Sequence, residues 1–565
     1  KCIDVNTTSG VVRGLTLHVL NKTVDQFLNI PFAEPPVGSL RFAPPVPLKQ
    51  PLKDVIDATK QGNSCLQPQP TTTPQSEDCL VLNIWTPNAG NNNTNKSQLK
   101  PIMFYIYGGG LVNGTIFLLP GYNGSILATH DVLVVSTNYR LGEFGFLYGD
   151  REDAPGNVGF YDQLLALKWV RKNIHSFGGD RDQITIFGES AGSVSVSAQI
   201  ISPLSKGLFK RAIMESGAHM YNKDRDAITK PEAIANGKHI AKQLKCNETE
   251  DWIQCLRRAD ARDILKFNPT IAFPVVGTEF LPISAQKALK TKQLNTDIDL
   301  MAGLTRDEGA LLTQYVLNHS HIESVADFRA YLSETDQIYH IINATKVTDY
   351  YLHGVNISNP LSIKQAFNRF FGDLMMNCPT YLFAERFAQI SPQNDRNVYF
   401  YRWDYQSDWF AALMNCDPVT MGICHGADIP FVWGLDYQAP MNVTMMERQF
   451  TDDHSGPKLA SDVVSQRDRY VPVQYRSPPE PINLDLTLAS VLGIVLGMVR
   501  VRTSSFLMGH FNNLHASLSS PIIGIRSTFK LDRDVCLNSL VKCTRYTRCA
   551  TTHIHAVHFV MTWHI

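Results

Sequence analysis

The chain has 565 residues, 44% of them hydrophobic, with 36 glycines and 31 prolines; this excludes a disordered, collagen-like or low-complexity chain and allows a deep core. Lysine plus arginine and aspartate plus glutamate each number 52, so the formal net charge is zero and no basic face invites nucleic acid. At roughly 150 residues per domain, length alone suggests about four domains or one very large one.

Lys1 stands where a nascent chain would carry methionine, and no charged-then-apolar leader follows, as expected of a secreted protein whose signal peptide has been removed. Eleven Asn-x-Ser/Thr triplets, at Asn6, Asn21, Asn92, Asn95, Asn113, Asn123, Asn247, Asn318, Asn343, Asn356 and Asn442, favour the same compartment, because chance pairing gives about four. In that oxidising setting Cys65 with Cys79, and Cys246 with Cys255, each span a short loop and are expected to form disulfides. Buried free thiols are the alternative.

Apolar runs punctuated by glycine follow in order. Pro101 to Tyr107 (PIMFYIY) ends at Gly108, Asp131 to Asn138 (DVLVVSTN) near Gly142, and Gln183 to Phe187 (QITIF) at Gly188. Further strand-like runs are Ala212 to Glu215, Asp297 to Ala302 and Asn397 to Trp403, and the clearest helical pattern is Asp162 to Ile174. Runs apolar throughout, alternating with helices, predict a mostly parallel sheet under helical cover, with no internal repeat.

Two glycine devices carry chemistry. Gly188-Glu189-Ser190-Ala191-Gly192 sits between the QITIF strand and a run of small residues able to start a helix. A serine on such a strand-to-helix turn projects its hydroxyl into a cleft, and the helix amino end favours a developing oxyanion. The pattern alone is weak, and a plain glycine-flanked turn also satisfies it. Three consecutive glycines, Gly108 to Gly110, leave backbone N–H groups unshielded, as a tetrahedral oxyanion requires, with Ala191 N–H as a third donor. A flexible turn is the bland alternative, but acyl transfer needs both devices together.

The stretches FLNIPFAEPPVGSLRFAPP, SEDCLVLNIWTP, YGGG, STNYRLGEFGFL, GNVGFYDQLLALKWVRKNIHSFGGD and GESAGSVSVSAQIISPLSKGLFKRAIMESG resemble the type-B carboxylesterase and cholinesterase family, with order and spacing kept from about Gly10 to Glu447. The resemblance implies an α/β-hydrolase fold: one catalytic domain over residues 1–450, with a large mostly parallel central sheet covered by helices on both faces. It also implies a serine esterase of small-molecule esters. LTRDEG makes Glu308 the orienting carboxylate, and CHGADIPFVWG makes His425 the base; pattern alone would have left a solvated loop acid and a satisfied loop histidine. Ser190 would then attack the ester carbonyl as His425 takes its proton, with Gly109, Gly110 and Ala191 donating to the oxyanion; no metal or organic cofactor is called for. Cys416 and Cys424, eight apart, read as a clip on the histidine loop or as two unpaired thiols.

Glu189 is similar to the family's second acid, facing cationic substrate or organising water, and otherwise a buried hydrogen-bonded carboxyl. Cholinesterases hold choline against an indole in the loop between their first paired cysteines. Here that loop, Leu66 to Asp78, is short and has no aromatic residue, which favours a general carboxylesterase, with Phe117, Tyr122 or Tyr405 left as replacement aromatics. The alternatives are a cholinesterase, toward which YGGG leans, and a non-catalytic adhesion ectodomain, disfavoured because all three triad positions carry competent residues.

After about Glu447 the resemblance ends, and the family's Trp-containing helix, Asn-Pro turn and final cysteine, expected to pair with Cys378, are not recognisable. Residues 451–565 instead carry a 14-residue apolar stretch from Leu486 to Val499 and three late cysteines, Cys536, Cys543 and Cys549. A shifted reading frame or retained intron is the first reading and a divergent tail the second. A membrane anchor is not favoured, because the stretch falls short of the roughly 20 residues a spanning helix needs. Oligomeric state is not written in the sequence.

Overall fold

Strands rich in valine, isoleucine and phenylalanine build one large mixed sheet in the computed structural model, which describes residues 1–434 apart from 88, 90–98, 119–120, 221–226, 248, 318–320, 341, 392–395 and 407. The strands are β1 (Cys2–Thr7), β2 (Gly10–Val19), β3 (Lys22–Pro31), β4 (Val81–Thr86), β5 (Lys100–Ile106), β6 (Leu133–Thr137), β7 (Gly179–Glu189), β8 (Arg211–Glu215), β9 (Asp299–Thr305) and β10 (Val398–Trp403). Their order is β1-β2-β3-β4-β6-β5-β7-β8-β9-β10, with Ile56–Asp57 paired beside β2. From β6 to β10 every neighbour is parallel. All residues of β6, β8 and β9 are buried, as a sheet covered on both faces requires.

The strands and the helix expected from the sequence are present with ends moved by a few residues. The QITIF strand extends to Gly179–Glu189 and the helix lies at Val158–Asn173. The antiparallel half, β1 to β4, was not foreseen: β1 to β3 have partly solvated faces, and none of the four carries a continuous apolar run. The described residues Lys1–Trp433 fall in one compact unit. The expected boundary at 450, Leu486 to Val499 and the late cysteines lie outside the described residues. Among the described residues no helix is long and apolar enough to cross a membrane.

One buried ion pair ties helix to sheet. After β6, Arg140 reaches the helix Val158–Asn173, where its Nε and Nη2 donate to Asp162 at 2.8 and 2.7 Å. The Arg140 amide donates to the same carboxylate at 2.9 Å, so both charges are met in a site closed to water.

The disulfides Cys65–Cys79 and Cys246–Cys255 are formed, and Cys416–Cys424 is a third. Cys378 is disulfide-bonded as well. Of the seven sequon asparagines within the described residues, Asn6, Asn21, Asn247, Asn343 and Asn356 are exposed, and Asn113 and Asn123 are half-buried.

Candidate active site

The first piece is the turn after β7. Strand β7 lies between β5 and β8, so its last residues meet Ile106 on one side and Glu215 on the other. The chain then turns sharply at Ser190, whose φ of 59° and ψ of −125° are costly for a residue with a side chain. Helix Ala191–Ile201 begins at once, and the Ser190 amide is held by the Glu215 carbonyl at 2.9 Å. Only glycine fits at 192, because a Cβ there would stand 2.0 Å from the Ile106 carbonyl oxygen. The motif's small residues are therefore a packing requirement of the elbow.

The second piece is the loop after β5. Tyr107 is fully buried and stacked on Tyr139 at 4.5 Å, and its hydroxyl donates to the Tyr139 carbonyl. That anchor brings Gly108 against the elbow, where a Cβ would fall 2.8 Å from the Ser190 Cβ. Gly109 and Gly110 follow with φ of 103° and 65°, and their carbonyls are used: Gly109 accepts from Asn113 at 2.9 Å, Gly110 from Ala272 at 2.9 Å. Among the described residues nothing accepts from the Gly109 or Gly110 N–H. Ala191 N–H, at the first helical position, has no intrahelical acceptor either.

The Cys65–Cys79 loop grips this segment from outside. Gln67 donates through Nε2 to the Gly114 carbonyl at 2.8 Å, and its Oε1 accepts from the Gly114 amide at 2.8 Å. Ser64 donates to Thr115 at 2.9 Å, and Thr72 to the Phe117 carbonyl at 3.2 Å.

The third piece comes from two loops tied to each other. The Asp307 amide donates to the Ile423 carbonyl at 3.0 Å, and the Ile423 amide returns the bond to the Asp307 side chain at 2.9 Å. With the Cys416–Cys424 disulfide next door, this holds His425 beside Glu308: Nδ1 lies 2.6 Å from Glu308 Oε2. The other carboxylate oxygen accepts from Ser216 Oγ at 2.5 Å and from the Thr305 amide at 2.7 Å. Glu308 is thus a fully satisfied buried acceptor.

The imidazole's other nitrogen does not hydrogen-bond Ser190 here. Nε2 lies 3.1 Å from Glu189 Oε1. Three buried carboxyls act on this one ring, Glu189, Glu308 and Asp428, the last also accepting from Tyr401 Oη at 2.9 Å, and a fourth, Glu215, stands beside Glu189 and Asp428. Burial pushes Glu189 up to about 8 against the pull of His425, and Glu215 well above the ordinary carboxylate range. Burial by itself would lower His425, but the Glu189 and Glu308 charges outweigh it and raise the ring to about 9. A base must be neutral to act, so activity should rise as pH rises through the imidazole's pKa. Glu189→Gln removes one of the two charges that hold the proton on the ring. Its acidic limb of kcat/KM should therefore move down by about one unit or more. Profiles of both proteins between pH 5 and 10 check this; an unmoved limb would show that Glu189 does not act on the ring.

The expected site residues fall into place unevenly. Ser190, Ala191, Glu189, Gly109 and Gly110 form one wall, and Glu308 with His425 another. Tyr122 lies beside Glu189 in an aromatic cluster with Tyr105 and Trp433, at 5.0 and 5.6 Å. Phe117 has no exposed surface, so it offers none to a cleft, and Tyr405 is exposed against Phe431. Sequence reasoning missed Ser216, Glu215 and Asp428. Ser216 and Glu215 close strand β8 opposite the elbow, and only the strand pairing reveals that.

A sheet of this strand order, with a nucleophile-type turn between a central parallel strand and its helix, is that of an α/β-hydrolase. The chain belongs to the carboxylesterase family, whose model matches residues 1–455, and it is a carboxylic ester hydrolase. It is 35% identical over 483 residues to a cholinesterase of Mus musculus, covering 79% of this chain and 76% of that protein. It is 33% identical to an acetylcholinesterase of Bungarus fasciatus, over 80% of this chain and 76% of the relative. An acetylcholinesterase-1 of Trittame loki is 33% identical, over 79% and 84% respectively.

Proposed function

We propose that the chain is a secreted general carboxylesterase in which Ser190 is the nucleophile, His425 the base and Glu308 the carboxylate that orients it. The observation that carries this reading is the convergence of a strained serine turn with three amides that have no acceptor among the described residues, together with an imidazole already bonded to a buried carboxylate. Catalysis begins when the imidazole turns from Glu189 to the Ser190 hydroxyl and takes its proton as the oxygen attacks the ester carbonyl. The carbonyl oxygen becomes negative and is received by the Gly109, Gly110 and Ala191 amides. Collapse breaks the ester bond, and the alcohol leaves with the proton from His425. Water then gives its proton to His425 and attacks the acyl-enzyme, releasing the acid and restoring Ser190. Glu308 stays ionised throughout and stabilises the imidazolium. Secretion is supported by the disulfides and by the exposed sequon asparagines.

The substrate choice rests on the Leu66 to Asp78 loop, which supplies no aromatic ring for a quaternary ammonium. Cholinesterase activity is the second reading, favoured by the relatives of that name. Phenyl butyrate should be turned over with a higher kcat/KM than acetylthiocholine, by about tenfold or more, the loss expected when a desolvated cation–π contact and its fit are missing. Steady-state kinetics on both esters decide it, and a preference for the choline ester reverses the assignment.

A further inference from the structure

A cavity of about 350 Å³ lies beyond the loop 269–273 and is lined by none of Ser190, His425 or the Gly108–Gly110 amides. Its walls are the helix Gly142–Phe146, the start of the helix Lys230–Gln243, the loop itself, and Val316, Ile338 and Tyr339. This volume is at the lower end of small-molecule pockets, about 300–1,000 Å³. Most of the lining is apolar and aromatic, with Phe146, Phe273 and Tyr339 contributing rings.

Glu143 is among the residues that line that space. Its amide is used, donating to Asn268 Oδ1 at 3.1 Å, but among the described residues nothing hydrogen-bonds or pairs with its carboxylate. Glu143 is half-buried, and desolvation with no cation beside it among the described residues pushes the group up to about 7. Glu232 stands on the wall formed by the Lys230–Gln243 helix, so among the described residues the cavity is lined by two acids and no basic side chain. An anion would be repelled, and a neutral apolar guest would leave Glu143 uncompensated. A ligand carrying a positive charge on an apolar body satisfies both kinds of wall. The neighbourhood already shows the pairing in miniature, since Lys230 Nζ sits 5.6 Å from the centre of the Tyr148 ring.

We propose that this cavity is a binding site for a hydrophobic ammonium ion, with Glu143 as its counter-ion and the surrounding rings as its apolar contacts. The site is distinct from the ester-hydrolysing cleft but shares a wall with it. The Ala272 amide donates to the Gly110 carbonyl at 2.9 Å, and a Cβ built on Gly110 would stand 3.4 Å from Ile271 Cγ1. The inference does not rest on the chemistry of Ser190, because binding is read directly.

Titration calorimetry of benzyltrimethylammonium into the full chain at pH 8, where Glu143 is ionised, tests the proposal. Saturable binding is expected, weakened about tenfold in Glu143→Gln, with phenyl butyrate kinetics unchanged in that variant. Should Glu143→Gln lower the melting temperature, Ala233→Phe gives the same reading by filling the space from the opposite wall, and binding should then be lost. Absence of saturable binding, or a dissociation constant that these variants leave unchanged, overturns the proposal; the latter result would place the probe elsewhere, as in the cleft beside Glu189.

Discussion

Ser190→Ala lowers kcat for phenyl butyrate by at least about 10⁴-fold, with KM little changed, because the hydroxyl serves the chemical step and not the binding of the ester. The same variant loses covalent labelling by a fluorophosphonate, which reports the serine without depending on substrate choice. The backbone separates chemistry from strain. With φ at 59°, alanine at 190 keeps the conformational cost, whereas Ser190→Gly releases it and should raise the unfolding free energy by about 1 kcal/mol while remaining inactive. Turnover, labelling and urea midpoints of the three proteins make a closed set. Retained labelling in Ser190→Ala would move the nucleophile elsewhere.

Asp162→Ala should be the most damaging change away from the site, costing about 3–5 kcal/mol. Arg140 is held wholly inside, and its Nε, Nη2 and main-chain amide all end on that one carboxylate. Removing the acid strands a guanidinium that water cannot reach, so the loss exceeds the value of the pair itself. Against a typical total of about 5–15 kcal/mol this brings the protein close to its unfolding threshold. The urea midpoint measures it, and a shift worth less than about 1 kcal/mol would mean that the site rehydrates. Exposed pairs such as Arg13–Asp4 provide the contrast, because water and salt screen them and either partner can be removed with little effect.

How much was legible before any coordinates varies by residue, and the reason is range. The Ser190 elbow is encoded within five residues, because the crowding of Ile106 against Gly192 admits one residue type. The oxyanion-type loop is equally local. Glu308 and His425 lie 117 residues apart, and no periodicity links them; the family resemblance pointed to both. The acids gathered at the site were invisible, since Glu215 reaches Glu189 only through the register of two parallel strands and Asp428 reaches His425 through a folded loop. Phe117 was offered as a cleft residue on its type alone, and the core claimed it. In the sheet, the runs apolar throughout announced the parallel strands, whereas the antiparallel strands β1 to β3, whose faces are partly solvated, gave no comparable run.

Gln67 binds Gly114 through both ends of its amide, four residues past Gly110 in the turn that carries Gly109 and Gly110. The proline-rich Cys65–Cys79 loop and the turn proposed to receive the oxyanion are therefore one mechanical part. A loop graft between Cys65 and Cys79 meant only to change which esters are accepted would, on the proposed mechanism, also retune how firmly the transition state is grasped. Selectivity and rate would change together in any such remodelling.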